Sequence, residues 1–311
     1  MRKKILVSVT AAAMIAAAVP SVAQQPAPGD GAPGQGRQGG GRGGGGRGGG
    51  APAIKEVTPG VYMVTGAGGN STVRVTSDGV IVVDTKNRGD QNYDALMAQI
   101  RTVTQAPVRY VFVTHHHQDH SGNIGNFQAA GAEVIVHEGL NTALDTYAPA
   151  QGTPEKSKVT YATSRTVTVG NATAEARHFE SAHTSGDTFV YFPDVRVVSL
   201  GDSFVAAVPN VDYPFGGSAV QWVRTLDGVL KWDFDVAIPG HGNDPLTKAD
   251  VQAFRDRMNT VVERGRALVK KGTPKDQLIA QIQTDDLGWN IDNNQWNNPE
   301  RLDLFYADLS K

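Results

Sequence analysis

From Ala51 onward, apolar and polar positions alternate in short, regular runs. Nine runs rich in Val, Ile, Tyr and Phe predict strands: Val61–Thr65, Ser71–Thr76, Val80–Asp84, Val108–Thr114, Glu133–His137, Thr166–Val169, Thr188–Phe192, Val195–Leu200 and Val236–Ile238. Gly-containing turns separate the early ones, as in an antiparallel meander, whereas the later ones alternate with helical patterns. Tyr93, Leu96, Met97, Ile100 and Val103 recur at helical spacing, with Pro107 beyond the end. Trp222, Val223, Leu226, Val229 and Leu230 do the same behind Ser218, a candidate N-cap. Thr247 and Asp250 form a potential capping box, opening a helix with Val251, Phe254, Met258, Val261 and Leu268 on its apolar face. Shorter helices are predicted over Gln277–Gln283 and Arg301–Leu309. Strands that precede and interleave with helices define an α/β chain, and no internal repeat is visible.

The N-terminal region departs from this pattern. Arg2, Lys3 and Lys4 precede an apolar stretch from Ile5 to Val19, then Pro20 and the small-x-small triplet Ser21-Val22-Ala23. This order predicts a secretory signal over residues 1–23, cleaved after Ala23, and hence a secreted or periplasmic protein. The apolar run is shorter than the ~20 residues of a membrane span, so no stable membrane insertion is expected. Residues 24–52 are mostly Gly, Pro, Gln and Arg and predict a disordered linker. Arg37, Arg42 and Arg47 imitate RNA-binding Gly/Arg segments, but the aromatic residues that would stack on bases are missing. With a net charge of −2 over 311 residues, no nucleic-acid partner is expected. The absence of Cys excludes disulfides, thiolate ligands and a Cys nucleophile. One folded domain is expected over 53–311.

Apolar runs repeatedly stop on or beside a ligand-type residue: Asp84, His115, Asp202 and His241. Ligands of α/β sheets sit outside the carboxyl ends of strands, so these distant residues could share one edge. The strongest motif is His-x-His-x-Asp-His, formed by His115, His117, Asp119 and His120 directly after an apolar strand. Imidazole with carboxylate suits zinc and its neighbours, iron and manganese included. Further His and Asp residues stand in Ala182-His183-Thr184-Ser185-Gly186-Asp187, Leu200-Gly201-Asp202 and Pro239-Gly240-His241-Gly242. His116, His137 and His178 have no such context and are expected to be structural.

This ordered set resembles the metallo-β-lactamase superfamily over residues 54–245. The resemblance implies a four-layer αββα sandwich with two zinc ions at one edge. It implies His115, His117 and His183 for the first ion, and Asp119, His120 and His241 for the second. It implies Asp202 as a carboxylate bridging both, Asp84 behind the ligands as their orienter, and Asp119 also as the catalytic group that orients the attacking water. A metal-dependent hydrolase of small molecules follows, activating water for attack on an ester, thioester, lactone or related bond. The positive charge of such a centre favours a substrate with an anionic group.

Departures narrow the branch. His117 stands where the flavodiiron oxidoreductases have Glu. Asp202 stands where zinc β-lactamases generally have Cys or Ser, and Val205 where many carry a carboxylate-binding Lys. Asp202 instead resembles the glyoxalase-II-like and lactonase-like branches. A periplasmic β-lactamase is the alternative reading, and a non-catalytic metal-binding module of the cell envelope is the alternative of another class. Phe204–Gly217 is expected either to wall the pocket or to pack into the core. Trp289 and Trp296 are expected to anchor the last helix.

Overall fold

In a computed structural model of the protein, residues 49–311 are described. The predicted signal segment and residues 24–48 of the predicted linker lie outside the described residues. The first sheet opens as an antiparallel meander of β1 (Ala53–Thr58), β2 (Val61–Thr65), β3 (Ser71–Val75) and β4 (Val80–Val83). It continues in parallel through β5 (Val108–Val113), β6 (Glu133–His137) and β7 (Val159–Tyr161), in the order β1 to β7. Helices α1 (Asp90–Arg101), α2 (Gln118–Ser121), α3 (Ile124–Ala129) and α4 (Glu138–Ala143) lie in the connections between the parallel strands. The second sheet has the order β13-β12-β11-β10-β9-β8. Its strands are β8 (Ser164–Val169), β9 (Ala172–Arg177), β10 (Phe189–Phe192), β11 (Val197–Ser199), β12 (Val236–Ile238) and β13 (Leu246–Thr247). Only β11 and β12 run parallel within it.

The pleat of the central strands explains the layering. Successive side chains of a strand face opposite ways. Val80 and Val82 of β4 therefore pack, with Val111 of β5, against Leu96 and Ile100 of α1 and Phe127 of α3. Their neighbours Ile81, Val83 and Phe112 point the other way, onto Val167, Val190 and Phe192 of the second sheet. A strand buried on both faces reads as a continuous apolar run, which is what Val80–Val83 shows. The outer face of the second sheet carries α5 (Ala219–Val229), α6 (Lys248–Lys270), α7 (Lys275–Gln281) and α8 (Pro299–Leu309) over the largest core, centred on Trp222, Phe254 and Phe305. This is the expected αββα sandwich.

The caps form as the sequence predicts. The Ser218 side chain accepts from the Gln221 N–H, and both arms of the Thr247–Asp250 capping box are made. A cap of this kind is worth about 1 kcal/mol. Trp289 and Trp296 are buried, on Phe254 and Phe305 respectively, and so anchor the tail. Four strands escaped the sequence reading. β1 is a largely exposed edge strand, β7 and β13 have three and two residues, and β9 turns only alanines inward. Alanine is a weak strand former, which masks the period-2 signal of β9. Among the described residues, no helix is long and apolar enough to cross a membrane.

Candidate metal centre

Four strands deliver the site. Asp84 directly follows β4, His115 stands two residues beyond the end of β5, Asp202 lies three residues past β11, and His241 three past β12. These are carboxyl ends gathered at one edge of the two sheets, as the strand-end pattern predicts. The turn into α2 adds His117, Asp119 and His120, and the loop between β9 and β10 adds His183.

Among the described residues three groups of donors result, of which the third, His116, His117 and Asp212, shares His117 with the first. His115, His117, His183 and Asp202 each bring a ligand atom within 4.8 Å of the others, and Asp119, His120 and His241 do the same. Asp202 lies between these two groups. Its Oδ1 is 3.2 Å from His120 Nε2 and 3.4 Å from His241 Nε2, while Oδ2 is 3.9 Å from His183 Nε2. The seven residues named from the sequence are thus together, and Asp84 stands behind them.

The outer nitrogen of each anchored ring is committed, which fixes the inner one. His120 Nδ1 donates to Asp84 Oδ2 at 2.8 Å. His115 Nδ1 meets Thr114 Oγ1 at 3.0 Å, and that hydroxyl donates to Asp84 Oδ2 at 2.9 Å. Asp84 therefore orients two rings, one directly and one through Thr114. His183 Nδ1 donates to the Asn210 carbonyl at 2.6 Å, and His117 Nε2 donates to Asp212 Oδ2 at 2.8 Å. The nitrogens left over point inward: Nε2 of His115, His120 and His183, and Nδ1 of His117. They face one another, with His117 Nδ1 3.1 Å from His115 Nε2 and 3.0 Å from His183 Nε2. Ligand bonds of ~2.0–2.1 Å at tetrahedral angles would set such separations at ~3.3 Å.

Lone pairs that converge repel unless a cation lies among them, so the donor set fits a metal. A second observation agrees: Asp202 Oδ1 is buried and makes no well-directed hydrogen bond, although His120 Nε2 and His241 Nε2 lie within 3.4 Å of it, an arrangement that a shared cation would satisfy. Glycines leave the room. A Cβ on Gly69 would collide with the His120 ring, and one on Gly240 with Asp202 Oδ1.

The first two groups differ electrostatically. Burial, reinforced by His120, His183 and His117, holds His115 well below the ordinary imidazole pKa. In the other group, burial is outweighed by carboxylates. Asp202, Asp119 and Asp84 raise His120 well above its ordinary value, and Asp202 with Asp119 raises His241 to about 9. Burial would raise Asp119, but His120 and His241 overcome it and lower it to about 2. Without an ion, the carboxylates of the second group favour a proton on His120 and His241, and a bound cation would take the place of those protons.

The centre opens into a cavity of about 650 Å³, walled by Asn87, Gln118, Tyr147, Val205, Val208 and Gln295 among others. The segment Phe204–Gly217 divides its labour. Val205, Ala207, Val208 and Asn210 face the cavity, while Tyr213 packs on Phe305 and Phe215 on His116. His116 belongs only to the third group; it is buried against Phe215 and Tyr147, its Nε2 3.8 Å from Asp212 Oδ2 and without a hydrogen bond. His137 and His178 stack on each other at 3.9 Å and join none of these groups.

Sequence reasoning missed Thr114, Asp212 and Lys86. Lys86 is fully buried and donates to the carbonyls of Val64 at 2.5 Å and Gly69 at 2.7 Å. Burial lowers it to about 7 against the pull of Asp84 and Asp119. By tying down Gly69, it holds the backbone that the His120 ring lies against. A lysine flanked by polar residues carries no signal of burial.

The comparisons with known proteins agree with this geometry. A family model described as "Metallo-beta-lactamase superfamily" matches residues 64–241. The chain is 25% identical over 189 residues to the 2,4-dinitroanisole O-demethylase subunit alpha of Nocardioides sp., covering 60% of this chain and 54% of that protein. It is 28% identical over 188 residues to metallo-beta-lactamase IND-1 of Chryseobacterium indologenes, covering 59% and 76%. In structure it resembles the sec-alkylsulfatase Pisa1 of Pseudomonas sp., with a TM-score of 0.63 at 19% identity, over 82% of this chain and 47% of that one. The chain thus spans about half the length of two of these three.

Proposed function

The chain belongs to the metallo-beta-lactamase superfamily, and from that premise we propose that it is a dinuclear, zinc-dependent hydrolase acting on an ester, thioester, lactone or related bond. The observation that carries the proposal is the pair of donor groups with Asp202 between them, opening on a substrate-sized cavity. His115, His117 and His183 would hold one ion, Asp119, His120 and His241 the other, and Asp202 would contact both. Imidazole and carboxylate donors suit zinc, with iron or manganese as substitutes. When bound, the ions supply Lewis-acid polarisation of the scissile group and lower the pKa of water towards ~7.

The remaining work falls to side chains of this protein. Asp119 lies at the cavity wall and is partly exposed, which supports a role in accepting a hydrogen bond from the attacking water and orienting it. Tyr147 accepts the Gln118 N–H at 3.3 Å, which leaves its own O–H to donate to a substrate oxygen. Asn87 and Gln118 can hydrogen-bond a polar substituent, and Val205 and Val208 can cover an apolar one. Among the described wall residues there is no Lys or Arg, so an anionic group on the substrate would be met by the ions.

A second reading, β-lactam hydrolysis, is favoured by the similarity to IND-1. Asp202 and Val205 count against it as the principal activity. The segment 1–23 supports action in the secreted or periplasmic space, which mass spectrometry of the mature N-terminus would test.

The test is a hydrolysis panel on zinc-loaded protein and its metal-stripped control, covering thioesters, lactones, carboxylic esters, β-lactams and sulfate esters. The expected result is zinc-dependent turnover, fastest on the acyl esters, thioesters or lactones. No zinc-dependent turnover of any member would overturn the hydrolase, in favour of a metal-binding module. Fastest turnover of β-lactams would favour the second reading.

A further inference from the structure

The matched family region ends at residue 241, yet two rings of the centre are held by a loop that the last twenty residues grip. His183 Nδ1 donates to the Asn210 carbonyl and His117 Nε2 to Asp212, so both depend on where the segment from Pro209 to Asp212 lies. That segment is stitched to the His183 loop, through Asp212 N–H to the His183 carbonyl at 2.8 Å and Ser218 N–H to the Ala182 carbonyl at 3.0 Å. From the other side it meets the tail. Trp296 Nε1 donates to the Pro209 carbonyl at 2.8 Å. Arg301, three residues into α8, directs Nη1 to Asn210 Oδ1 at 3.0 Å and to the Val211 carbonyl at 2.7 Å, and Nη2 to Asp212 Oδ1 at 3.3 Å. Asp308, buried at the end of the same helix, accepts from Ser218 Oγ at 2.8 Å and from the Val220 N–H at 3.2 Å. The tail therefore clamps both ends of the segment, and it also sends Gln295 to the cavity wall.

We infer that Arg301 is a positioning residue of the metal centre, acting through Asp212 on His117 and through Asn210 on His183. The inference rests on the proposed metal reading. One carboxylate, Asp212, accepts from an imidazole on one oxygen and from a guanidinium on the other. A planar fork satisfies three acceptors on successive residues, which the single ammonium of a lysine cannot copy. Such outer partners set ring orientation and ligand basicity. Loss of Arg301 would release Asp212 and let the His117 ring tilt, so the group built on His115, His117 and His183 should suffer and the one built on Asp119, His120 and His241 should not.

The test uses the full chain, loaded with Co²⁺ as a spectroscopic probe and titrated against a competing chelator. Arg301→Ala should weaken metal binding at the three-histidine group roughly 10–100-fold, the usual cost of removing an outer partner, and shift its visible absorption bands. Arg301→Lys should recover part of the loss, and Asp212→Asn should reproduce it. Asp303→Ala, which on α8 breaks only the exposed pair with Lys275 of α7, controls for loosening of α8 and should leave both spectrum and affinity unchanged. If Arg301→Ala fails to fold, Arg301→Gln carries the same expectation. Variants with lowered melting temperature but unaltered Co²⁺ spectrum and affinities would overturn the inference and leave the metal reading standing. A wild-type chain that binds no Co²⁺ would remove that reading, and the inference with it.

Discussion

Histidine rings meet at two places in this protein, and the contrast shows what distinguishes a candidate metal ligand from a structural histidine. At the sheet edge, four rings bind outward to Asp84, Thr114, Asp212 or the Asn210 carbonyl, and turn their inner nitrogens toward one another. Behind β6, His137 instead spends both nitrogens locally, accepting from the Gly139 N–H and donating to the Ala162 carbonyl, and stacks on His178. Carboxylates crowd the first place, whereas the second has only backbone partners. Proximity alone would not separate them. The direction of the uncommitted nitrogen does.

The largest effect should come from the residue that joins the two donor groups. Asp202→Ala removes the charge that faces both, and the ion held by Asp119, His120 and His241 should be the one lost, since that group has one imidazole fewer. Turnover should fall by more than the ~10–100-fold typical of outer partners. Metal analysis beside steady-state kinetics checks this, and two retained ions with near-normal turnover would contradict it. Asp84→Asn comes next. It loosens His120 directly and His115 through Thr114, so it should cost roughly 10–100-fold in metal affinity at both groups; an effect confined to one would break the shared-orienter argument. Tyr147→Phe removes one neutral hydrogen bond worth about 1 kcal/mol, so kcat/KM should fall roughly 5-fold with metal content unchanged. No change at all would take Tyr147 out of substrate binding.

The smallest effect concerns the other place. Burial, with His178 adding to it, lowers His137 to about 4. Between pH ~6.5 and 4 the unfolded chain would bind a proton there that the folded chain does not. This residue therefore lowers stability as pH falls through that window, and adds nothing further below it. Imidazole NMR should place its midpoint near pH 4, and a midpoint near 6.5 would show that the ring is not held as described.

The clustering of the candidate residues was legible in the sequence because several of them stand where apolar strands stop. The His115–His120 motif is local, His183, Asp202 and His241 sit beside glycines or small residues that announce a turn, and Asp84 closes an apolar run. The layering came from the family resemblance, and the unbroken apolar run Val80–Val83 suits the strand buried on both faces that the structure shows. What could not be read is what tertiary contact creates. Asp212 and Arg301 are ordinary charged residues 89 positions apart, and only the return of α8 over the second sheet brings them together. Lys86 looks like a surface residue until the chain folds over it. β9 hid because alanines fill its inner face.

The central claim is that this chain holds two ions in two unequal groups, and zinc titration of metal-stripped protein by calorimetry tests it most directly. Two binding events per chain are expected, the stronger removed by His183→Ala and the weaker by His241→Ala, with hydrolysis appearing only as the sites fill. A single event, or two that neither substitution separates, would contradict the account.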